Sequence, residues 1–277
     1  AIACGNTFVV KSSPRTPMSQ AAFFKLLDEV GLPPGVASLV NGETEAANVL
    51  LDHHGMQGVT FVGSTPVAKE IYKKCGENGI RVIAQGGAKN FIVLMPDAEI
   101  DQVMVSLLSS FYGNAGQRCL SGANLLVVGD DKTYNRFLDK FVEAARNIKV
   151  GDGLDESVQM GPLQNEASKE RVSDMIENAV SEGAKLKLDG RRLNLVGDLP
   201  EACFLNPTVL ESVQPDMTCA MEEIFGPVAC VLRAKNLEEA IDIIHRNPYG
   251  NGASIFTNTG KWARQFRHEG VAGNVGI

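Results

Sequence analysis

Residues 58–76, GVTFVGSTPVAKEIYKKCG, decide the fold class. The first six are a continuous apolar run bounded by glycines, the length and composition of a strand. Ser64 stands where an N-cap belongs and Pro66 falls in the first turn, so a helix starts immediately after the strand. A strand feeding a helix through a tight turn is the repeating step of α/β proteins. The turn also leaves free N–H groups at a helix N-terminus, which favour an anion. Gly63 and Ser64 therefore lie where a nucleotide pyrophosphate would bind. Many crossovers contain Gly-Ser without a ligand, and neither G-x-G-x-x-G nor G-x-x-x-x-G-K-[ST] occurs.

The pattern repeats on both sides of this stretch. Upstream, NTFVVK (6–11) reads as a strand. PMSQAAFFKLLDEVG (17–31) sets Ala21, Phe24, Leu27 and Val30 at helical spacing, with Gly31 and Pro33 ending the helix. VASLV (36–40) is a further strand and ETEAANVLLDHHG (43–55) a helix. Downstream, IRVIA (80–84) and NFIVLM (90–95) are strands. EIDQVMVSLLSSFYG (99–113) is a helix, ANLLVVG (123–129) a strand, and 131–151 and 165–183 are long amphipathic helices. GPVACVLRA (226–234), NLEEAIDIIHRNP (236–248), GASIFT (252–257) and TGKWARQFRHEG (259–270) continue the alternation. The expectation is an α/β fold with a mainly parallel sheet. Neither end looks like a domain boundary: NTFVVK is a strand already under way, and EGVAGNVGI stops within a strand-like run. The chain is expected to be truncated at both ends. No signal or transit segment is recognisable at the N-terminus.

Composition narrows the function. The chain has 277 residues, enough for one large or two medium domains; 44% are hydrophobic and 21% charged, as in an ordinary globular protein. The net charge of −7 and the lack of a basic stripe argue against nucleic acid and anionic membrane as partners. No apolar run reaches the length of a membrane span. Six cysteines, at 4, 75, 119, 203, 219 and 230, form neither C-x-x-C nor a disulfide or zinc framework. They point to a reducing compartment in which most are small buried residues. The four histidines (53, 54, 245 and 268) form no H-E-x-x-H, so no metal site is expected.

Two residues stand out chemically. Lys11 ends a strand, where α/β sheets bind ligands, although a solvated lysine is the commoner case. Cys119 lies in YGNAGQRCLSG (112–122), a segment of small residues rich in free amide N–H groups, with Arg118 beside it. A nucleophilic thiol needs exposure, positive potential and room for a substrate. Composition alone leaves that role and a structural cysteine evenly matched.

Several segments together resemble the aldehyde dehydrogenase superfamily: GNTFVVK, GLPPGV, FVGST, GQRC, MGPL, NPTVL, EEIFGPV and NPYGNGASIFT, in order along the whole chain. GAKN (87–90), GNAGQRC (113–119), MTCAMEEIFGPV (217–228) and NPYGNG (247–252) look most like its CoA-acylating methylmalonate-semialdehyde dehydrogenase branch. The resemblance implies a partial NAD-binding, Rossmann-type domain over 1–85. It implies an α/β catalytic domain over 86–277, with its nucleophile loop at 113–121. It makes Cys119 the nucleophile, Lys11 the lysine on the adenosine ribose of NAD, and Gly63 and Ser64 the turn facing the pyrophosphate. Glu223 and Phe225 become the pair at the nicotinamide ribose and ring, and Arg118 the candidate for a substrate carboxylate.

Two departures matter. Hydrolytic members carry a glutamate base 34 residues before the nucleophile, and here that position is Gln85, which cannot take a proton. A thioester would then survive to be collected by CoA, giving propionyl-CoA from methylmalonate semialdehyde and acetyl-CoA from malonate semialdehyde, in valine and pyrimidine breakdown. Pro14, in KSSP, replaces a glutamate that binds ribose hydroxyls in the family, and weaker NAD binding is expected. The family pattern also implies a homodimer or homotetramer, in the mitochondrial matrix of a eukaryote or the cytoplasm of a bacterium. The other readings are a hydrolytic NAD(P)-dependent aldehyde dehydrogenase, a non-catalytic fragment of one, and a plain cysteine hydrolase. The last has no local histidine partner.

Overall fold

The computed structural model describes residues 1–200 and 203–277. The chain divides into two compact units, Ala1–Gly86 and Gly87–Ile277.

The smaller unit runs β1 (Phe8–Lys11), α1 (Pro17–Glu29), β2 (Ala37–Val40), α2 (Thr44–Leu51), β3 (Gly58–Gly63), α3 (Thr65–Glu77) and β4 (Arg81–Gly86). It contains two parallel strand pairs, β1 with β2 and β3 with β4. Its buried core is small: Leu51, Ile71 and Cys75, with Val59, Phe61, Ile80 and Val82 packed around them. Helix α3 carries this core. Ala68, Ile71 and Cys75 recur at three- and four-residue spacing and are buried on one face.

Three expectations for this unit need correction. Val30 is 78% exposed rather than packed, because the chain leaves α1 at that residue. Ser64 occupies the N-cap position of α3, but its hydroxyl makes no capping hydrogen bond. The helix expected over 43–55 closes at Leu51. His53 and His54 lie beyond it with their rings stacked 4.5 Å apart, and the Nδ1 of His53 accepts the Gly55 N–H.

The larger unit runs β5 (Asn90–Leu94), α4 (Ile100–Tyr112), β6 (Gly122–Val128), α5 (Asp131–Arg146), β7 (Val150–Gly151), α6 (Glu166–Ser181), β8 (Lys185–Leu188), β9 (Leu195–Val196) and β10 (Thr208–Glu211). Then follow α7 (Thr218–Met221), β11 (Val228–Ala234), α8 (Leu237–Arg246), β12 (Gly252–Phe256), α9 (Gly260–Glu269) and β13 (Asn274–Gly276). Seven strands form one sheet in the order β13-β12-β5-β6-β11-β10-β8. Every neighbouring pair is parallel except β10 with β8, so the expected mainly parallel sheet is present. The central strands are buried on both faces, as parallel strands covered by helices must be. Val93, Leu94, Leu126, Val231 and Leu232 are at most 1% exposed. Helices α5, α6 and α8 are capped by Asp130, Asn165 and Asn236, whose side chains accept the N–H three residues on.

Among the described residues no helix is long and apolar enough to cross a membrane. Of the six cysteines, only Cys75, Cys219 and Cys230 are buried; Cys4 and Cys119 are exposed and Cys203 is intermediate. The expectation that most are buried thus holds for half.

Candidate active site

The loop that carries Cys119 begins where α4 ends. Asn114 and Ala115 both adopt left-handed backbone, at φ 54° and 52°, and Gly116 follows at φ 68°. Three such residues in succession turn the chain sharply away from the helix axis. Gly116 permits the turn to press inward. A β-carbon there would lie 2.2 Å from the carbonyl oxygen of Gly226, so the loop packs backbone to backbone against the 222–228 segment.

Gln117 ties the near side of the loop down. Its Nε2 donates to the carbonyls of Asn114 (3.2 Å) and Pro162 (3.3 Å), and its Oε1 accepts the Gln164 N–H at 2.9 Å. A turn closed by the Ser121 N–H on the Arg118 carbonyl (3.0 Å) then brings the chain into β6. Cys119 sits at the middle of this turn, exposed.

The far side is held by two amides. Asn90 Nδ2, from the start of β5, donates to the carbonyls of Cys119 (2.9 Å) and Ser121 (2.7 Å). Asn251 Nδ2, from the loop before β12, donates to the same Cys119 carbonyl at 2.7 Å. The Cys119 N–H has no acceptor among the described residues and is available to an incoming oxygen.

A pocket with about 20 Å³ of internal space, room for little more than one water molecule, opens at this turn. Cys119 and Arg118 line it from the loop, Ala88 and Asn90 from β5 and the segment before it, and Glu223 and Phe225 from the opposite wall. Four residues singled out in the sequence, Arg118, Cys119, Glu223 and Phe225, are thus brought together across 107 residues of chain. The guanidinium of Arg118 lies against Gly113, where a β-carbon would fall 2.7 Å from its Nη1. Phe225 holds left-handed backbone at φ 52°, a strained conformation for a residue with a bulky side chain. Glu223 is half-buried. Burial raises its pKa, while the Ala88 N–H, Lys89 and Arg171 pull it back down.

Lys89 and Asn90 escaped the sequence analysis as functional residues. Lys89 is 1% exposed and its ammonium has no hydrogen-bond partner. Burial lowers its pKa, against the opposing pull of Cys230, Cys219, Glu223 and Glu222. Both residues lie in GAKN, quoted above only as a family signature. Nothing in periodicity says that one buries a charge and the other reaches the Cys119 carbonyl.

The remaining candidates lie in the smaller unit. Lys11 ends β1 as expected. Its Nζ donates to the Gly42 carbonyl at 2.9 Å and to the carbonyl of Ser12, leaving one of its three protons for a ligand. Gly63 and Ser64 are exposed at the mouth of the β3–α3 turn, with the Phe61 ring packed on Gly63. Gln85 is exposed near the end of β4, paired with Val62. Pro14 is exposed.

This arrangement, a thiol on a tight loop facing a carboxylate and an aromatic ring at the end of a parallel sheet, occurs in a chain whose residues 1–277 match the aldehyde dehydrogenase family throughout. The chain belongs to that family. It is 43% identical over all 277 residues to malonate-semialdehyde dehydrogenase 1 of Geobacillus kaustophilus, covering 56% of that protein. It is 40% identical to the acylating, mitochondrial methylmalonate-semialdehyde/malonate-semialdehyde dehydrogenase of Rattus norvegicus, covering 51% of it. Among solved structures, methylmalonate-semialdehyde dehydrogenase from Oceanimonas doudoroffii matches with a TM-score of 0.96 at 40% identity. A putative methylmalonate-semialdehyde dehydrogenase from Sinorhizobium meliloti complexed with NAD matches with a TM-score of 0.95 at 39% identity. All of this chain is covered in each structural match, and 56% of the other chain. The chain spans about half the length of the curated relatives it matches.

Proposed function

We propose that this protein oxidises methylmalonate or malonate semialdehyde with NAD, through a thioester on Cys119, and passes the acyl group to CoA. The observation that carries the reading is the shared pocket of Cys119, Arg118, Glu223 and Phe225. The similarity to semialdehyde dehydrogenases over the whole chain supports the substrate class. The relative complexed with NAD supports the cofactor.

The residues present fit the nicotinamide end of NAD. The Ala88 N–H draws on the Glu223 carboxylate, which keeps lone pairs for ribose hydroxyls. Phe225 would flank the ring. At the other end, Lys11 offers one remaining proton to the adenosine ribose, and Gly63 and Ser64 offer a helix N-terminus to the pyrophosphate. Pro14 offers no side-chain acceptor, so the grip on the adenosine ribose is weaker than a glutamate there would give.

Cys119 attacks the aldehyde carbon as its thiolate, and the carbonyl electrons move to oxygen. The Cys119 N–H holds that oxyanion, a type of donor whose loss costs about 10² to 10³ in rate. NAD, when bound, supplies the acceptor for the hydride that leaves the same carbon. The carbonyl re-forms as a Cys119 thioester, and Arg118 is the cation available to a substrate carboxylate. Loss of CO₂ leaves an enolate thioester that takes a proton from water to become the propionyl or acetyl group, and the thiolate of CoA then displaces the Cys119 thiolate. Gln85 stands where hydrolytic family members carry their base, and an amide cannot activate water.

The test is mass spectrometry after incubation with methylmalonate semialdehyde and NAD but no CoA. A propionyl adduct confined to Cys119 and discharged by CoA is expected. Gln85→Glu is expected to shorten the adduct's lifetime in water. A folded sample that forms no adduct would leave the non-catalytic alternative standing.

A further inference from the structure

We propose that Asn90 and Asn251 are positioning residues for the nucleophile, together fixing the peptide plane that follows Cys119 and thereby the direction of its sulfur. The inference rests on Cys119 being the nucleophile and goes beyond that assignment.

A carbonyl oxygen has two lone pairs, and on Cys119 both are taken by side-chain amides, at 2.9 Å and 2.7 Å. Side chains rarely concentrate in this way on one backbone acceptor, since most side-chain hydrogen bonds are dispersed over backbone and water. Each amide is itself held. Asn90 is 6% exposed and its second donor contact, to the Ser121 carbonyl, locks its orientation. Asn251 is anchored through its own carbonyl, which accepts the N–H (3.0 Å) and the side-chain amide (3.2 Å) of Asn274.

The loop that carries Asn251 reaches the opposite wall as well. Asn247, the first residue of the NPYGNG segment and 9% exposed, donates from Nδ2 to the Ala220 carbonyl at 3.1 Å. Asn124 of β6 donates to that same oxygen at 2.9 Å. One short loop is therefore pinned at one end to the segment leading to Glu223 and at the other to the nucleophile. The carbonyl of Cys119 is chosen, rather than any side-chain atom, because the sulfur must stay free to react. Holding its backbone sets the angle of attack without blocking the thiol. A displacement of about 1 Å at a reacting atom costs on the order of 10²-fold in rate.

The test compares wild type with Asn251→Leu, Asn251→Gln and Asn90→Ala. The acylation rate of Cys119 by p-nitrophenyl acetate is read as released p-nitrophenolate, without NAD or semialdehyde. Alkylation of Cys119 by iodoacetamide, read by peptide mass spectrometry, controls for exposure, and circular dichroism controls for folding. Asn251→Leu keeps the volume and loses the donor. It is expected to acylate about tenfold more slowly with alkylation within twofold, and Asn251→Gln, which restores a donor, is expected to recover part of the rate. The Asn90→Ala/Asn251→Leu double variant is expected to lose more than the product of the two, because each amide backs up the other. Wild-type acylation in the folded Asn251→Leu and double variants would overturn the proposal. So would a wild-type protein that alkylates at Cys119 but never acylates, since there would be no nucleophile to aim. A wild type that acylates yet does not oxidise semialdehyde overturns the functional reading and leaves the clamp supported.

Discussion

Lys89 shows how much a single side chain can do from behind the site. Its ammonium is buried and without a hydrogen-bond partner, and its charge acts on Glu223 from inside the protein. Replacing a buried unpaired charge by an apolar side chain of similar length is often neutral or stabilising, so Lys89→Met is expected to fold with an unchanged or higher Tm. Its functional effect follows from sign. The pKa of Glu223 is already raised by burial, and Lys89 is one of the groups holding it down. Without Lys89 it rises further, so the carboxylate is lost at a higher pH as pH falls. The acid limb of a plot of KM for NAD against pH is expected to move to higher pH in Lys89→Met, with kcat on its plateau less affected. Neither Lys89 nor the amides of Asn90 and Asn251 could be recognised from residue type and spacing. Cys119 stands out as a candidate, because a thiol among small residues beside an arginine is an unusual composition, yet composition alone leaves it evenly matched with a structural cysteine. A hydrogen bond from an amide to a carbonyl 132 residues away is a fact of tertiary structure alone.

At the scale of elements, the legible parts are those whose periodicity is long. Helices α6 and α8 and the buried strands β5, β6 and β11 lie where the apolar pattern puts them, whereas the helix expected over 131–151 closes at Arg146 and β7 takes the last two residues of that span. Short pieces such as β7, β9 and α7 have two to four residues each, too few for a period to register. The loop that carries Cys119 is of this kind. Its shape comes from three left-handed residues and a close approach that only glycine permits. Gly116→Ala puts a β-carbon at φ 68° and 2.2 Å from the Gly226 oxygen, so backbone must move. A Tm lower by about 5 °C is expected by calorimetry. Cys119 acylation is expected to fall by about 10²-fold as the loop withdraws from its partner segment.

At the scale of the molecule, the two units are unequally supported. The larger has a seven-stranded sheet with a core drawn from β5, β6, β10, β11, β12 and six of its helices, whereas the smaller has two-stranded pairs and a three-residue buried cluster. The sequence read β3 as a continuous apolar strand. In the structure its residues are half-buried or exposed, with Val62 64% and, on its neighbour β4, Ile83 61% exposed. Apolar composition alone does not say what lies against a strand, so this difference was invisible. Local opening follows the density of buried apolar contacts. Amide hydrogen exchange is therefore expected to be faster throughout β3 and β4 than in β5 and β6. Equal protection in the two sets would mean that they open together.

The pleat of the segment entering β5 has one more consequence. Successive side chains point to opposite faces of an extended chain, and Ala88 and Asn90 line the pocket while Lys89 between them does not. Burial lowers the pKa of that lysine, whose ammonium stays on the other side of the chain. A one-residue slip would bring the Lys89 side chain to the pocket face in place of Asn90 and remove the amide that holds the Cys119 carbonyl. Alternation along three residues thus keeps the lysine out of the pocket while admitting the asparagine that holds the Cys119 backbone.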